Sequence, residues 1–441
     1  METRLTAAFQ GSAEAAIAEP ILRACVHCGF CNATCPTYQL LGDELDGPRG
    51  RIYQIKQVLE GQPATRIVQQ HLDRCLTCRN CETTCPSGVH YGHLVEIGRA
   101  IVDSQVRRPW PERAWHALLR EALTRPAVFS VGVRLGRLLR PLLPAALRDK
   151  LPVPRPAGAR PTSRTSSGSA PTVLLLRGCV QPAMLPSIDA ATERVLHALG
   201  IETLTAPGAG CCGAIRHHLN DPKGALANMR TNIDAWWPYL DSGRVDTLVV
   251  NASGCTAMAK EYGHLLRDDP IYAERAHRIS ACTQDITQFL LPHTGALKAR
   301  LRAAAAATSA GAAAAPVRVA VQAPCTLQHA QRLPGVMEEL LGGLGVTCVP
   351  VAESHLCCGS AGTYSLLHSS LARPLRDRKL DHLQRASPDI ILSDNIGCIA
   401  HLAAGTSLPV WHWIEWLDRA MSPARQLCSP PTLTAASPGV P

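Results

Sequence analysis

The chain has 441 residues, 46% of them hydrophobic and only 4% aromatic, with a formal charge of +9. That length suggests about three domains, with cores of Leu, Val, Ile and Ala. No run approaches the roughly 18 apolar residues of a spanning helix, and METRLTAAFQGSAEAA lacks the apolar core of a secretory signal. Nineteen cysteines would be a disulfide count in a small secreted protein. Here they fall into cluster spacings, so the compartment reads as cytoplasmic, where thiols stay reduced.

Residues 1–20 read as a polar, Ala-rich leader. Two copies of one cysteine spacing follow. Cys25, Cys28, Cys31 and Cys35 precede Pro36, and Cys75, Cys78, Cys81 and Cys85 precede Pro86. Both read C-x2-C-x2-C-x3-C-P, the run that holds 4Fe–4S clusters in bacterial ferredoxins, where the fourth Cys ligates the other cluster. The expected sets are therefore Cys25, Cys28, Cys31 and Cys85 for one cluster, and Cys75, Cys78, Cys81 and Cys35 for the second. Zinc knuckles pair C-x2-4-C units across a longer stretch, which does not suit a gapless triple. Each proline fixes φ and lacks an N–H, so it sets the chain's exit from its loop.

The 39 residues between Cys35 and Cys75 exceed what a compact ferredoxin needs. Within them, RIYQIKQVLEG places Ile52, Ile55, Val58 and Leu59 at helical period. A helical two-cluster domain is expected, over residues 21–150 with a basic helical extension. Arg49, Arg51 and Arg79 could face the cluster sulfurs, but read more simply as surface residues. Residues 99–164 hold 14 Arg or Lys against 4 Asp or Glu, which accounts for the whole charge excess. Arg134, Arg137 and Arg140 recur at helical spacing, in a stretch broken at Pro109, Pro126 and Pro141. A cationic amphipathic helix fits an anionic membrane surface or an acidic partner, and a solvated face fits equally. No aromatic–basic module accompanies the charge, so nucleic acid is not an expected partner.

Residues 151–170 are Pro- and Ser-rich, a linker by composition. An internal repeat follows, over 171–295 and 317–421, divided by an Ala-rich linker at 296–316. One unit runs from TVLLLRGC through GCCG to TLVVNASGC, the other from VRVAVQAPC through LCCG to IILSDNIGC. In each, 31 residues separate the first Cys from the Cys pair. Apolar runs before the first and last cysteines read as buried strands, with helices between them. The fold class is therefore α plus α/β: a helical ferredoxin-type domain followed by two α/β repeats. Cys179, Cys211, Cys212 and Cys255 gather at strand ends in the first repeat, and Cys325, Cys357, Cys358 and Cys398 in the second. Gly213 and Gly359 allow close approach or positive φ. Cys282, Cys348 and Cys428 lack repeat partners and read as ordinary thiols. The tail 422–441 reads as disordered.

The repeats resemble the cysteine-rich CCG domain of heterodisulfide reductase subunits, whose pattern ends in C-x2-C and binds an iron–sulfur centre or zinc. Ala252 and Asn395 stand where the first Cys of that pair would be. Each repeat then offers four thiols. A single cluster, a zinc site, a joint site and plain structural thiols all stay open. The whole arrangement resembles the iron–sulfur subunits of bacterial glycolate oxidase. ILRACVHCGFCNATCPTYQLLGDELDGPRGR, HLDRCLTCRNCETTCPSGV, TNIDAWWPYL, TLQHAQRL and SHLCCGSAGTY carry the likeness.

That resemblance implies an electron-transfer subunit with two 4Fe–4S clusters. FAD would lie on partner flavoprotein subunits that oxidise glycolate, and a quinone or other membrane acceptor would follow. Iron–sulfur subunits of D-lactate and glycerol-3-phosphate dehydrogenases share the architecture, and a heterodisulfide-reductase-like enzyme is a further alternative. Localisation would be cytoplasmic, with peripheral contact at the inner face of the membrane. CGSAGTYS lacks the G-x-G-x-x-G order of a dinucleotide fingerprint. No catalytic residue is expected, and His27, His217, His218 and His329 are assigned no ligand role. Trp236–Trp237 and WHWIEW at 411–416 read as core packing before docking surface.

Overall fold

The computed structural model describes residues 1–142, 151–152, 154–159, 170–307 and 317–422. Cys428 and most of both expected linkers' low-complexity residues lie outside these. Before Thr172 the described residues contain helices and no strand. Helix Ala13–Ala24 starts at Ser12, whose hydroxyl accepts from the Ala15 N–H. The segment 1–20 carries most of this helix and packs on the domain. The Met1 α-amino group donates to the Leu22, Arg23 and Cys25 carbonyls, and Ala15 and Ala18 are buried.

The helix expected from RIYQIKQVLEG spans Pro48–Leu59, with Ile52, Ile55, Val58 and Leu59 all buried. It packs on helix Tyr91–Gln105. There a Cβ on Gly98 would lie 2.6 Å from Ile55 Cγ1, so glycine permits the close approach. Helices Trp110–Thr124 and Pro126–Leu138 follow. The second tucks Phe129 and Val133 into the core of the repeats, while Val131, Leu135 and Leu138 stay exposed.

Each repeat forms a four-stranded sheet with every pairing parallel. In the first, β1 (Thr172–Leu176), β2 (Glu202–Leu204), β3 (Leu248–Val250) and β4 (Thr283–Asp285) lie in the order β2-β1-β3-β4. In the second, β5 (Arg318–Gln322), β6 (Thr347–Val349), β7 (Ile390–Ser393) and β8 (Val410–His412) lie in the order β6-β5-β7-β8. The order reverses beside β1 and β5, which opens a crevice at the carboxyl ends of the central strands. The Ala-rich stretch is a linker only in part. Residues Thr294–Ala307 form a helix that buries Leu297 and Ala304, because Leu297 supplies the apolar anchor that polyalanine lacks.

The repeats share one hydrophobic core. Each also sends the end of its fourth strand to the other's third. His412 at the end of β8 donates from Nε2 to the Asn251 carbonyl, 3.0 Å away, since its Nδ1 accepts from the Ile414 N–H. Asp285 at the end of β4 meets Asp394, which follows β7, with both side chains buried. Burial raises the Asp285 carboxyl, and the Asp394 charge adds to the rise. Burial lifts Asp394 to about 6. The pair therefore holds a proton that the unfolded chain has released, and stability falls as pH climbs from about 4 through 6 and beyond. Asp285→Asn should flatten this slope and raise stability by roughly 1–3 kcal/mol near pH 8. Melting curves of wild type and variant at pH 5 and 8 check it; parallel pH dependence would refute the shared proton.

Candidate functional site

The two cysteine motifs at the amino end form matching loops. His27 and Gly29 in the first, and Thr77 and Arg79 in the second, take positive φ at equivalent positions. For non-glycine residues this costs about 1–2 kcal/mol each, so the paired left-handed steps mark loops wrapped around something. Pro36 begins helix Pro36–Leu41, as its fixed φ favours. The loops exchange their last cysteines. Burial raises the Cys31 thiol to about 12, and the charges of Cys25, Cys85 and Cys28 add to it. These four line one cavity with His27, Phe30 and Arg49. Burial likewise raises Cys81, with Cys78, Cys75 and Cys35 adding.

The quartets differ in surroundings. The first is open: Cys28 is exposed, and its neighbours Val26 and Phe30 are 66% and 61% exposed. The second is buried and rich in donors. The Tyr91 hydroxyl lies 3.6 Å from Cys75 Sγ and the Thr77 N–H nitrogen 3.4 Å. Cys35 Sγ lies 3.3 Å from Thr37 Oγ1. Burial alone would push the Cys75 thiol up, yet Arg51 and Arg99, with those donors, hold it below its ordinary value.

Arg51 is a correction to the surface reading. It is fully buried and binds the His71 carbonyl, Thr37 and Asp46. Arg49 does pair at the surface with Glu44, and half-buried Arg79 bridges Glu82 and Glu261. Arg99 and Tyr91 went unnoticed in the sequence. A lone Arg inside the apolar run LVEIGRAIV was the available signal; its guanidinium binds the Leu72 and Cys75 carbonyls.

In the repeats, Cys179 and Cys325 follow β1 and β5, the Cys pairs follow β2 and β6, and Cys255 and Cys398 open the helices after β3 and β7. The four thiols of each repeat converge. Cys211 is held down to about 4 by hydrogen bonds from Cys179 and Cys212, and Cys255 in turn neighbours Cys212. Hydrogen bonds from Cys357 and Cys398 lower Cys358 in the same way, and Cys325 Sγ is 3.8 Å from Cys357 Sγ. A Cβ on Gly359 would sit 2.6 Å from the Ala372 carbonyl, and φ is +84° there, so the CCG turn requires glycine. Ala252 and Asn395 cap the helices that carry Cys255 and Cys398.

The ferredoxin-type body docks on both repeats, but unevenly. Cys78 and Leu76 pack in one apolar cluster with Cys325, Cys357 and Tyr364. Thr83 Oγ1 meets His329 Nδ1 at 3.0 Å, and the Tyr364 hydroxyl donates to the Arg74 carbonyl. Toward the first repeat the contacts include ion pairs of Arg79 and His93 with Glu261 and of Glu96 with His217, a hydrogen bond from Asn220 to Asp103, and a stack of His93 on His264. His27, His217, His218 and His329 all have partners other than sulfur. All eighteen described cysteines are free of disulfides. Asp43, Asp46 and His71 also converge, but Arg51 and Arg74 already neutralise Asp46.

Reduced thiol quartets, two of them on interlocked loops, are the donor sets of an iron–sulfur protein of the dicluster type with cysteine-rich domains. A 4Fe-4S dicluster domain model matches residues 21–89, and a cysteine-rich domain model matches 173–260 and 319–403. The chain is 50% identical over 422 residues to the glycolate oxidase iron-sulfur subunit of Escherichia coli (strain K12), covering 96% of this chain and 99% of that one. It is 30% identical over 407 residues to a probable glycolate oxidase iron-sulfur subunit of Bacillus subtilis (strain 168), covering 86% and 88%. Lactate utilization protein A of Geobacillus thermodenitrificans (strain NG80-2) matches at 28% over 259 residues, 56% of this chain and 98% of that one. The chain belongs to the family of glycolate oxidase iron–sulfur subunits and is an electron-transfer subunit.

Arg51 is the buried cation with the larger effect on Cys75, and Arg99 adds to it. Arg51→Met should destabilise the domain by about 3–5 kcal/mol, the cost of breaking a buried pair. The check is the temperature at which visible cluster absorbance is lost; an unchanged midpoint would show that the guanidinium contributes nothing there.

Proposed function

We propose that this chain takes electrons from FAD on partner flavoprotein subunits that oxidise glycolate to glyoxylate, and sends them toward a quinone-linked or other membrane acceptor. The near full-length likeness to the Escherichia coli subunit carries this reading. Cys25, Cys28, Cys31 and Cys85 hold one 4Fe–4S cluster, and Cys75, Cys78, Cys81 and Cys35 hold the second. Bound there, such clusters supply one-electron uptake and release.

The surrounding residues support different tasks for the two quartets. Val26 and Phe30 bring the first to the surface, where a flavoprotein can approach. Arg51, Arg99, Tyr91 and Thr77 favour added negative charge at the second, since cations and sulfur hydrogen bonds stabilise the reduced form. The packing of Cys78 against Cys325 and Cys357 supports the second repeat's thiols as a third redox site. Cys179, Cys211, Cys212 and Cys255 hold a further iron–sulfur centre or zinc. Exposed Val131, Leu135 and Leu138 beside Arg134 support peripheral contact with the inner face of the cytoplasmic membrane.

The shorter match to lactate utilization protein A favours lactate as a second substrate reading. A heterodisulfide-reductase-like activity is disfavoured by Ala252 and Asn395, which leave each repeat one thiol short of that pattern.

Cys28→Ser or Cys78→Ser should abolish glycolate-driven acceptor reduction while the partner's flavin is still reduced by glycolate. Stopped-flow absorbance separates the two; loss of flavin reduction in an assembled complex overturns the division of labour. Cys358→Ser should slow turnover at least about tenfold and Cys212→Ser far less. Equal effects on acceptor reduction would argue against the second repeat as the relay.

A further inference from the structure

The two CCG turns are held by equivalent helices, Pro222–Asp241 and Ser369–Gln384. Each presents one carbonyl to the CCG glycine: Ala225 O to Gly213 and Ala372 O to Gly359. Seven residues further along, the same inward position holds Asn232 in the first repeat and Lys379 in the second. Both are buried.

Both side chains pin the loop that delivers the Cys pair. Asn232 donates to the Cys211 carbonyl at 2.9 Å and accepts from the Gly210 N–H at 2.8 Å. Lys379 Nζ donates to the Ser354 carbonyl at 2.8 Å and the Glu353 carbonyl at 3.2 Å. A neutral amide thus suffices to hold the loop. The ammonium adds something that loop-holding does not need: a positive charge, 2% exposed, bonded to the loop that delivers Cys357 and Cys358 and within electrostatic reach of Cys358, Cys357, Cys398 and Cys325. Among the described residues no carboxylate lies within ion-pair distance of it. In the first repeat the cation that acts on Cys211 is Arg216, and Asp221 and Glu121 already bind that guanidinium.

An uncompensated buried ammonium is costly, so its retention points to an anion beside it. Four thiolates around iron carry net negative charge, and one added electron makes it more negative by one unit. Two of these thiols, Cys325 and Cys357, are those against which Cys78 packs. We propose that Lys379 is the charge-compensating residue of an anionic iron–sulfur centre held by Cys325, Cys357, Cys358 and Cys398, and that it makes the second repeat, rather than the first, the electron-exchange partner of the quartet containing Cys78. In the exchange one electron leaves the centre at Cys78 and one enters the centre beside Lys379; no bond or proton moves. This rests on the relay reading of the preceding section.

The test uses the full-length chain in its complex, purified without oxygen. Iron counting and EPR of wild type come first. About eight irons would mean two four-iron clusters and none in the repeats, which ends the relay reading itself; zinc in the second repeat does the same. With more iron present, EPR-monitored potentiometry of Lys379→Met should move one signal to lower potential. The expected shift is at least tenfold in the reduction equilibrium, about 59 mV for one electron. Lys379→Arg should restore it, and the first-motif cluster should not move. Should Lys379→Met lose the centre's iron, retention of that iron in Lys379→Arg supports charge compensation, and loss in both overturns it. Unchanged potentials in Lys379→Met with full iron overturn the Lys379 assignment alone.

Discussion

Negative charge gathered on buried sulfur must be answered locally, because neither water nor salt can screen it in a dry interior. Much of the architecture follows from that demand. Around the second amino-end quartet the answer comes from Arg51, Arg99, the Tyr91 hydroxyl and the Thr77 N–H. Asp46, His71 and Arg74 then complete a network that holds Arg51 in place. Around the second repeat the answer is Lys379. The first quartet needs less, since Cys28 lies open to solvent.

This gradient gives the molecule a direction. One sulfur site opens outward beside Val26 and Phe30, the next is enclosed and compensated, and a third abuts it through Cys78. The first repeat has the same strand order and the same cysteine placement, yet none of its thiols joins the apolar cluster around Cys78, and Glu261 and Glu96 form ion pairs between it and the ferredoxin-type body. The two repeats are equal in strand order, and single inward positions such as Asn232 and Lys379 make them electrostatically unequal. The repeats stay joined by buried polar contacts as well as by a common core. Asp285 with Asp394 and His412 with Asn251 tie each fourth strand to its neighbour's third.

Much of the site was legible in the chain because ligand spacing is a local property. The cysteine triples, the trailing prolines and the CCG turns each lie within a few residues, so loop geometry can be read directly. The helical insert was legible too, since Ile52, Ile55, Val58 and Leu59 keep one period. Strands β4 and β8 were not. Thr283–Asp285 and Val410–His412 are too short and too polar to signal a strand, and only pairing with β3 and β7 makes them one. The Ala-rich stretch misled for the opposite reason: composition resembled a linker, while Leu297 had a pocket to fill.

What the sequence alone determined is the chemistry on offer: four groups of four sulfurs, two on helical loops and two at the ends of parallel strands. Only the folded chain decided which site is open, which site abuts which, and which cations stand beside them. Arg51, Arg99 and Lys379 are far in sequence from most of the thiols they serve, and an electric field depends on distance in space, which chain order does not encode.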